Sequence, residues 1–240
     1  MGDATGRAEG WASEAVAAAY EAWYETPLGR LVDRLEKEAV FALVPDGAGG
    51  LALDLSCGTG HYALALAGRG FRVVGLDVSE PMLRVARAKS AQARLDVSWL
   101  RADASALPFR GAAFDLATVI LGLEFVRDPP VVLDEARRVL RPGGRLVVAI
   151  LNRTGLWTLW RRLKRRFVPS IWRGARFLRP DELGALLQAH GFTEPRWKRA
   201  VHVLPLVRAR GLRWLERWEA AGARFMPARA TFVAVAARRL

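Results

Sequence analysis

Two acids and a glycine-rich turn have the types and spacing that could hold a nucleoside. Asp54 lies in an apolar stretch that runs directly into the turn, Leu51-Ala-Leu-Asp-Leu-Ser-Cys-Gly-Thr-Gly60. Glycine allows positive φ and leaves room for a ligand, and the N–H groups that open a following helix attract anions. Asp77 ends the next apolar stretch, where a carboxylate can bind ribose hydroxyls. Gly58-Thr-Gly60-His-Tyr-Ala63 also fits the loose G-x-G-x-x-A dinucleotide pattern, so the turn alone leaves the cofactor open.

The elements that must position these residues alternate between strands and helices. Short apolar runs predict strands, and amphipathic stretches with Ser79 and Pro129 at their starts predict helices. This alternation predicts an α/β protein with a parallel sheet and helices on both faces. The predicted strands are residues 51–55, 72–76, 97–100, 114–121 and 145–151, and the predicted helices are residues 60–69, 79–90 and 129–140.

Further segments flank this core on both sides. Residues 11–44 predict one or two helices, broken near Thr26-Pro27, and a helix begins at Pro180 and ends at Gly191. Strands are predicted near residues 196–203 and 231–237, with a helix at 208–221 between them. We expect a single domain with four parts: a helical segment at 1–46, a cofactor-binding core at 47–151, a basic lid at 152–178 and the rest of the sheet at 179–240.

Composition narrows the class of protein. The chain of 240 residues is 52% hydrophobic and 25% charged, as in a folded globular protein, and no uncharged apolar run is long enough to span a membrane. Cys57 is the only cysteine, so neither an intrachain disulfide nor a cysteine metal cluster is expected, and we predict no metal site. Without a signal-peptide core, a cytoplasmic location is expected. The net charge of +13 indicates either an ordinary basic surface or attraction to an anionic partner.

An ordered set of motifs resembles the class I S-adenosylmethionine-dependent methyltransferases, in particular the small-molecule group that includes quinone-biosynthesis enzymes. After the glycine turn and Asp77 come Arg101-Ala-Asp-Ala-Ser-Ala-Leu-Pro-Phe109, Phe114-Asp115 and Glu135-Ala-Arg-Arg-Val-Leu-Arg-Pro-Gly-Gly144. The resemblance implies a Rossmann-like, seven-stranded, mostly parallel sheet whose last strand is antiparallel. It also implies S-adenosylmethionine as the cofactor and S-adenosylhomocysteine as the product.

The resemblance implies a role for each matching residue. The methionine end of the cofactor would lie against Asp54 and the turn, and over Leu121; Asp77 would bind the ribose. Val78 would line the adenine pocket, which Asp103 and Ala104 would close. This chain departs from the family at Ser56, where the family usually has glycine. The implied cofactor residues of the turn are Ser56, Cys57, Gly58 and Gly60.

Few residues are candidates for catalysis, because methyl transfer from a sulfonium needs alignment of the acceptor more than a dedicated acid or base. His61 follows the turn, and Glu124 follows the fourth predicted strand; a base would help a hydroxyl or carbon acid to react. Tyr20, with Trp23 and Tyr24, is spaced to present one helical face that could close over the cofactor, since aromatic faces attract a sulfonium cation.

A basic segment that contains tryptophans bears on the binding partners of the protein. Tryptophans interleave with arginines and lysines over residues 153–176, which suits a lid with a solvated basic face, an anionic membrane surface or, less well, nucleic acid. We expect a small-molecule acceptor, with a peripheral membrane contact as an option and nucleic acid disfavoured. The alternatives to a methyltransferase are an NAD(P)-dependent oxidoreductase and a non-catalytic protein of the same fold that binds a nucleoside or lipid.

Overall fold

A central sheet of seven strands organises the protein. The computed structural model describes residues 11–47, 49–164, 174–202 and 212–240, and within them the strand order is β3-β2-β1-β4-β5-β7-β6. The strands are β1 Leu51–Leu55, β2 Arg72–Asp77, β3 Val97–Arg101, β4 Phe114–Ile120, β5 Leu140–Leu151, β6 Phe192–Ala200 and β7 Phe232–Arg239. The helices are α1 Glu14–Glu25, α2 Pro27–Phe41, α3 His61–Ala67, α4 Glu80–Ala93, α5 Pro129–Val139, α6 Leu156–Lys164, α7 Pro180–Ala189 and α8 Leu212–Phe225.

The sheet confirms the predicted fold class. Strands β1 to β5 pair in parallel, and β7 runs antiparallel to both of its neighbours, β5 and β6. The last strand is therefore the one that runs against the others. Consecutive parallel strands need crossover connections, and α3, α4 and α5 supply them.

Local sequence explains where several helices begin. Thr26 ends α1 and also caps α2, because its hydroxyl accepts a hydrogen bond from the Gly29 N–H at 2.9 Å and Pro27 opens the new helix. Ser79 caps α4 by accepting from the Met82 N–H at 3.3 Å, as predicted. The predicted break near Thr26-Pro27 is therefore a short joint between two helices.

Two strands begin earlier than the sequence predicts. The expected strand at 145–151 starts at Leu140, because Leu140 pairs with Phe114 before the register shifts to Leu116 and Arg145. The strand expected from 196 starts at Phe192 and continues through a bulge at which Glu194 has a φ of 54°. Both bulges interrupt the alternation that the sequence pattern depends on. Residue 203 of that strand and residues 208–211 of the predicted helix lie outside the described part of the chain.

The core forms two layers, one on each face of the sheet. One layer packs α2 and α3 against residues such as Ala52, Val73 and Leu116, and the other packs α5 and α7 against residues such as Leu53 and Leu55. Successive residues of β1 enter opposite layers, as the pleat requires. Among the described residues, no helix is long and apolar enough to cross a membrane.

Candidate functional site

A cavity of about 1150 Å³ opens at the carboxyl ends of the parallel strands. The chain leaves β1 towards β2 on one side and later returns to place β4 on the other side, so the strand order reverses between β1 and β4. Crevices outside such a reversal are the usual ligand sites of open α/β sheets. The loops that follow β1 to β4 line this cavity, together with the end of β5 and residues of α1, α2 and α6.

Asp54 is the most unusual group in the cavity wall. It is only 2% exposed, and its Oδ1 accepts a hydrogen bond from the Thr118 hydroxyl at 2.6 Å, across the β1–β4 pair. Its Oδ2 is buried without a hydrogen-bond partner among the described residues. Burial raises the pKa of Asp54 to about 7, although the Thr118 bond lowers it. A carboxylate oxygen in this position can accept from an ammonium or N–H group of a ligand.

The glycine turn is held open by Asp77. The Asp77 Oδ2 accepts from the Gly58 N–H at 2.8 Å, and Oδ1 accepts from the Ser79 N–H at 2.9 Å. Burial raises the pKa of this carboxyl, and the backbone N–H groups oppose the shift. A Cβ atom placed on Gly58 would meet nothing within 4 Å, so the turn leaves space on its ligand side. Asp77 thus shapes the turn and also lines the cavity.

Ser56 adopts a backbone conformation that favours glycine. Its φ is 58°, and its side chain packs so closely on Gly122 that a Cβ atom there would lie 2.7 Å from the Ser56 Cβ. Leu121, also at positive φ (54°), lies beside it in the cavity wall. The serine that departs from the family pattern is therefore accommodated by a glycine on the neighbouring loop.

Most of the sequence-predicted cofactor residues lie together. Val78 is 40% exposed at the cavity mouth, and the Asp103 Oδ1 accepts from the Ser105 N–H and hydroxyl, which shapes the loop after β3. The predicted residues that line the cavity are Tyr20, Asp54, Ser56, Cys57, Gly58, His61, Asp77, Val78, Asp103, Ala104 and Leu121.

Two predicted residues lie elsewhere. Gly60 caps α3 at a φ of 82°, and a Cβ there would lie 2.6 Å from the Trp99 ring, so its role is close packing. Glu124 is fully buried, and its Oε1 accepts from the Leu151 N–H at 2.6 Å. Burial raises the pKa of Glu124 to about 7. Neither residue lines the cavity, so the position of Glu124 does not support the predicted catalytic role.

The aromatic residues of the amino-terminal segment cover the turn. Tyr20 and Tyr24 share a hydrogen bond between hydroxyls at 2.9 Å, and the Tyr24 ring stacks on His61 at 3.9 Å between centroids. Trp11 packs edge-on against Tyr20 and Phe125. We call Trp11, Tyr20, Trp23 and Tyr24 the aromatic cover; all four line the cavity.

His61 is engaged on one ring nitrogen. Its Nε2 lies 2.8 Å from Glu21 Oε1 and 3.2 Å from Lys89 Nζ, and Lys89 also donates to Glu21 at 2.9 Å. This cluster joins α1 to α3 and α4. His61 therefore serves as an anchor for the aromatic cover, which leaves only Nδ1 for the catalytic role that the sequence suggested.

The half of the cavity beyond β4 differs in character. Leu151, Val201 and Thr231 come from the strand ends on that side of the sheet, and α2 and α6 add further walls. Apolar groups dominate; Glu36 and Arg161 are charged, and Arg176 from the segment after α6 also lines the cavity. From α2 and α6, the lining residues are Val32, Glu36, Trp157 and Arg161.

Sequence reasoning missed Thr118 and Glu36. Thr118 is a buried polar residue within an otherwise apolar stretch of strand, and Glu36 interrupts the apolar face of α2, one turn after Val32 and one before Val40. A polar residue on a buried face was the available signal in both cases.

The curated relatives are similar over the central part of the chain. Residues 53–148 match the family described as "Methyltransferase domain". A demethylmenaquinone methyltransferase of Thermus thermophilus is 50% identical over 98 residues, which cover 40% of this chain and 44% of that protein. The ubiquinone/menaquinone biosynthesis C-methyltransferase UbiE of Roseobacter denitrificans is 38% identical over 152 residues, which cover 61% of this chain and 60% of that protein. The chain thus matches between two fifths and three fifths of the length of these relatives.

Solved structures agree over nearly the whole chain, at lower identity. An S-adenosylmethionine-dependent methyltransferase of Thermotoga maritima superposes with a TM-score of 0.74 at 24% identity, covering 95% of this chain and 98% of that one. The [4+2]-cyclase SpnF superposes with a TM-score of 0.64 at 24% identity, covering 90% and 83%. At this identity the likeness shows the shared fold, and one fold hosts more than one activity.

Three findings agree: the strand order with its antiparallel last strand, the buried acid beside a glycine turn, and the match over residues 53–148. Residues 53–148 therefore match the methyltransferase-domain family, and the chain as a whole shares its fold with solved S-adenosylmethionine-dependent methyltransferases.

Proposed function

We propose that this protein transfers a methyl group from S-adenosylmethionine to a lipophilic, quinone-like acceptor. The observation that carries the proposal is Asp54, whose buried Oδ2 has no partner among the described residues at the point where the glycine turn meets the cavity. The α-ammonium group of S-adenosylmethionine is the complementary donor. The residues present therefore fit the cofactor, and its chemical contribution is an electrophilic methyl group on a sulfonium.

The cofactor end of the cavity has a place for each part of the nucleoside. Asp77 offers carboxylate lone pairs to the ribose hydroxyls, and Val78 with Ala104 provides apolar walls for the adenine. Ser56, Cys57, Gly58, Asp103, Leu121 and Tyr20 complete this set of proposed cofactor contacts. Asp54 and Asp77 lie close together because their strands, β1 and β2, are neighbours in the sheet.

The acceptor end has the character that a lipophilic ring requires. Val32, Ile120, Leu151 and Trp157 supply apolar surface around it, and the relatives named above act in quinone biosynthesis by their printed names. Alignment of such a ring with the methyl group can contribute about 7–11 kcal/mol to lowering the barrier. The aromatic cover excludes water and presents ring faces to a sulfonium.

Calorimetric titration with S-adenosylhomocysteine tests the cofactor. We expect micromolar binding of S-adenosylhomocysteine and no binding of NADH, and at least tenfold weaker binding by Asp77→Ala, since hydrogen bonds to a charged group contribute roughly 1.5–3 kcal/mol. Binding of NADH alone would replace the proposal with the oxidoreductase alternative. Tight S-adenosylhomocysteine binding without methylation of any quinol or phenol would favour the non-catalytic alternative.

A lipophilic acceptor resides in membranes, and we include a peripheral membrane contact in the proposal. Only part of the basic segment at 153–176 is described, but α8 adds exposed Trp214 and Trp218, with Phe225 73% exposed at its end. Arg217 and Arg224 lie on the same helix, and the net charge of +13 complements anionic lipid. Helix α8 ends shortly before β7 begins at the cavity edge.

Co-sedimentation with vesicles tests this contact. We expect binding to phosphatidylglycerol vesicles at low salt, weaker binding at high salt, and a loss in the double variant Trp214→Ser/Trp218→Ser. Leu240→Ser is the matched control, because Leu240 is also exposed but lies past the opposite end of β7. Absence of binding to anionic vesicles at low salt would remove the membrane contact from the proposal.

A further inference from the structure

A buried carboxyl group faces the acceptor half of the cavity. Glu36 lies one helical turn beyond Val32 on α2, so both side chains point to the same side of the helix. Glu36 is 6% exposed and lines the cavity, and among the described residues it makes no hydrogen bond and no ion pair within 4 Å. Buried carboxyls are normally paired, because loss of hydration is costly. An unpaired one on a cavity wall indicates a ligand that supplies the partner.

Arg161 brings a positive charge to the same half. It belongs to α6, its guanidinium lies 4.9 Å from the Trp157 ring centroid, and both residues line the cavity. Burial raises the pKa of Glu36 to about 8, and the charge of Arg161 opposes that shift. Burial also lowers the pKa of Arg161 to about 10, so the guanidinium remains charged at neutral pH.

Several charged and titratable side chains surround Glu36. Asp33 and Glu124 raise the pKa of Glu36, whereas Lys37 lowers it. Each nearby tyrosine has its own pKa raised, mainly by burial and further by Glu36, and the Tyr62 hydroxyl is buried without a partner among the described residues. These tyrosines are Tyr20, Tyr24 and Tyr62. Because their pKa values are raised, these tyrosine hydroxyls do not give a proton to Glu36 in place of an acceptor hydroxyl.

We propose that Glu36 and Arg161 form the site for an aromatic hydroxyl of the acceptor, with Glu36 as its proton acceptor and Arg161 as the partner of the resulting oxyanion. This inference rests on the proposed function and names two catalytic residues for it. The form of the acceptor that reacts is the aromatic diol, because the ring carbons of a quinone are electrophilic and cannot attack a methyl group.

The step balances in protons and electrons. The O–H bond of the diol breaks, and its proton goes to the carboxylate of Glu36, while the electron pair remains on oxygen opposite Arg161. That pair increases the electron density of the ring carbon, which forms a C–C bond to the methyl group as the C–S bond breaks and its electron pair goes to sulfur. The ring C–H proton is then lost to water, which restores aromaticity, and the proton held by Glu36 returns to the oxygen, so that the product is again a diol. Reduction of the quinone to the diol precedes the step and requires a separate reductant.

Single-turnover kinetics at saturating S-adenosylmethionine test the inference. The probe is a short-chain demethylmenaquinol kept reduced with dithionite. We expect the wild-type rate to rise with pH to a plateau above about pH 8, because only ionised Glu36 accepts the proton. Glu36→Gln should lower the rate about 10²–10⁴-fold and lose the inflection. Arg161→Met should lower it about 10²-fold or more, with partial recovery in Arg161→Lys.

Glu38→Gln is the matched control, because Glu38 is on the same helix but its side chain is 62% exposed. Unchanged S-adenosylhomocysteine affinity verifies that each variant is folded. A Glu36→Gln variant with the wild-type rate and pH profile would overturn the inference and leave the proposed function intact. A wild-type protein that binds S-adenosylhomocysteine but never methylates the quinol would overturn both the acceptor class and the inference.

Discussion

At the scale of single residues, the proposed site depends on carboxyl groups whose pKa values are raised by burial. Asp54 is buried, has one oxygen without a partner among the described residues and has a pKa raised to about 7, mainly by burial. Binding of a cationic group requires the ionised form, so ligand binding must be linked to loss of a proton.

Asp54 therefore predicts a pH-dependent affinity for S-adenosylhomocysteine. Below pH 7 most molecules hold Asp54 protonated, so the dissociation constant should fall about tenfold from pH 6 to pH 8, while the ligand ammonium stays charged. Isothermal titration across this range measures it. Asp54→Asn should bind more weakly and without the pH dependence; the same slope in both proteins would exclude Asp54 as its source.

Ser56 and Gly122 predict an energetic coupling. Gly122→Ala places a Cβ atom 2.7 Å from the Ser56 Cβ, so we expect it to destabilise the protein by about 1–3 kcal/mol. In the Ser56→Gly background this loss should be smaller by about 1 kcal/mol or more, because the clash with Ser56 is removed and only the contact with Val119 remains. Urea unfolding of all four proteins measures the coupling.

The control for this cycle is Gly143→Ala. Gly143 has a φ of 73° but no atom within 4 Å of a Cβ position, so its cost is backbone strain alone. That cost should be the same in the wild-type protein and in the Ser56→Gly background. If Gly122→Ala lowers the free energy of unfolding equally in these two backgrounds, the Ser56 side chain moves away from the new Cβ atom without strain.

At the scale of elements, one serine connects a helix to the aromatic cover. The Ser79 hydroxyl caps α4 and also donates to the Trp11 carbonyl at 2.7 Å. The start of the chain segment that covers the cofactor end is thus fixed to the strand end that bears Asp77. Glu21, between His61 and Lys89, fixes the middle of α1 in the same way.

Ser79→Ala should therefore affect both the stability of the protein and its binding of S-adenosylhomocysteine. We expect about 1 kcal/mol from the cap, and in addition weaker S-adenosylhomocysteine binding with faster dissociation, because Trp11 loses its anchor. Ser13→Ala removes a comparable cap, at the start of α1, without touching Trp11, and should leave dissociation unchanged. Equal dissociation rates in the two variants, measured by stopped-flow fluorescence, would show that Trp11 is held by other contacts.

The boundaries of helices and strands could be predicted where they depend only on residues close together in the sequence. Ser79 predicted the start of α4 correctly, because a cap depends on residues three positions apart, and Thr26-Pro27 predicted the break between α1 and α2. The starts of β5 and β6 could not be predicted, because bulges at Phe114–Leu116 and Thr193–Arg196 depend on the partner strand. No local pattern encodes the register of a distant strand.

At the scale of the whole molecule, the sequence predicted the half of the cavity proposed for the cofactor better than the half proposed for the acceptor. The glycine turn, Asp54 and Asp77 come from two neighbouring strands joined by one helix, so their proximity follows from the β-α-β order. Glu36 and Arg161 meet only because α2 and α6 pack on the same end of the sheet, although they are far apart along the chain. Glu124 follows β4, where the sequence suggested a catalytic role; the fold brings its carboxyl to the Leu151 N–H, and that role stays a prediction.

Three buried carboxyls with strongly raised pKa values, Asp54, Glu36 and Glu124, together predict an unusual stability profile. Burial raises the pKa of Asp54 and Glu124 to about 7 and that of Glu36 to about 8. Between their unfolded pKa values and these folded values the native state binds more protons than the unfolded state, so the free energy of unfolding falls as pH rises. Each group contributes a slope of up to about 1.4 kcal/mol per pH unit.

Urea unfolding from pH 5 to pH 9 measures this profile. We expect the wild-type protein to lose stability over this range, and the triple variant Asp54→Asn/Glu36→Gln/Glu124→Gln to lose less of it. The high positive net charge has the opposite effect on stability, because repulsion between positive charges is strongest at low pH. Glu38→Gln is the control: the same repulsion acts on it, so its stability should change with pH as that of the wild-type protein does. A wild-type stability that rises steadily from pH 5 to pH 9 would mean that repulsion outweighs the buried carboxyls and that these groups are ionised at little cost in the folded protein.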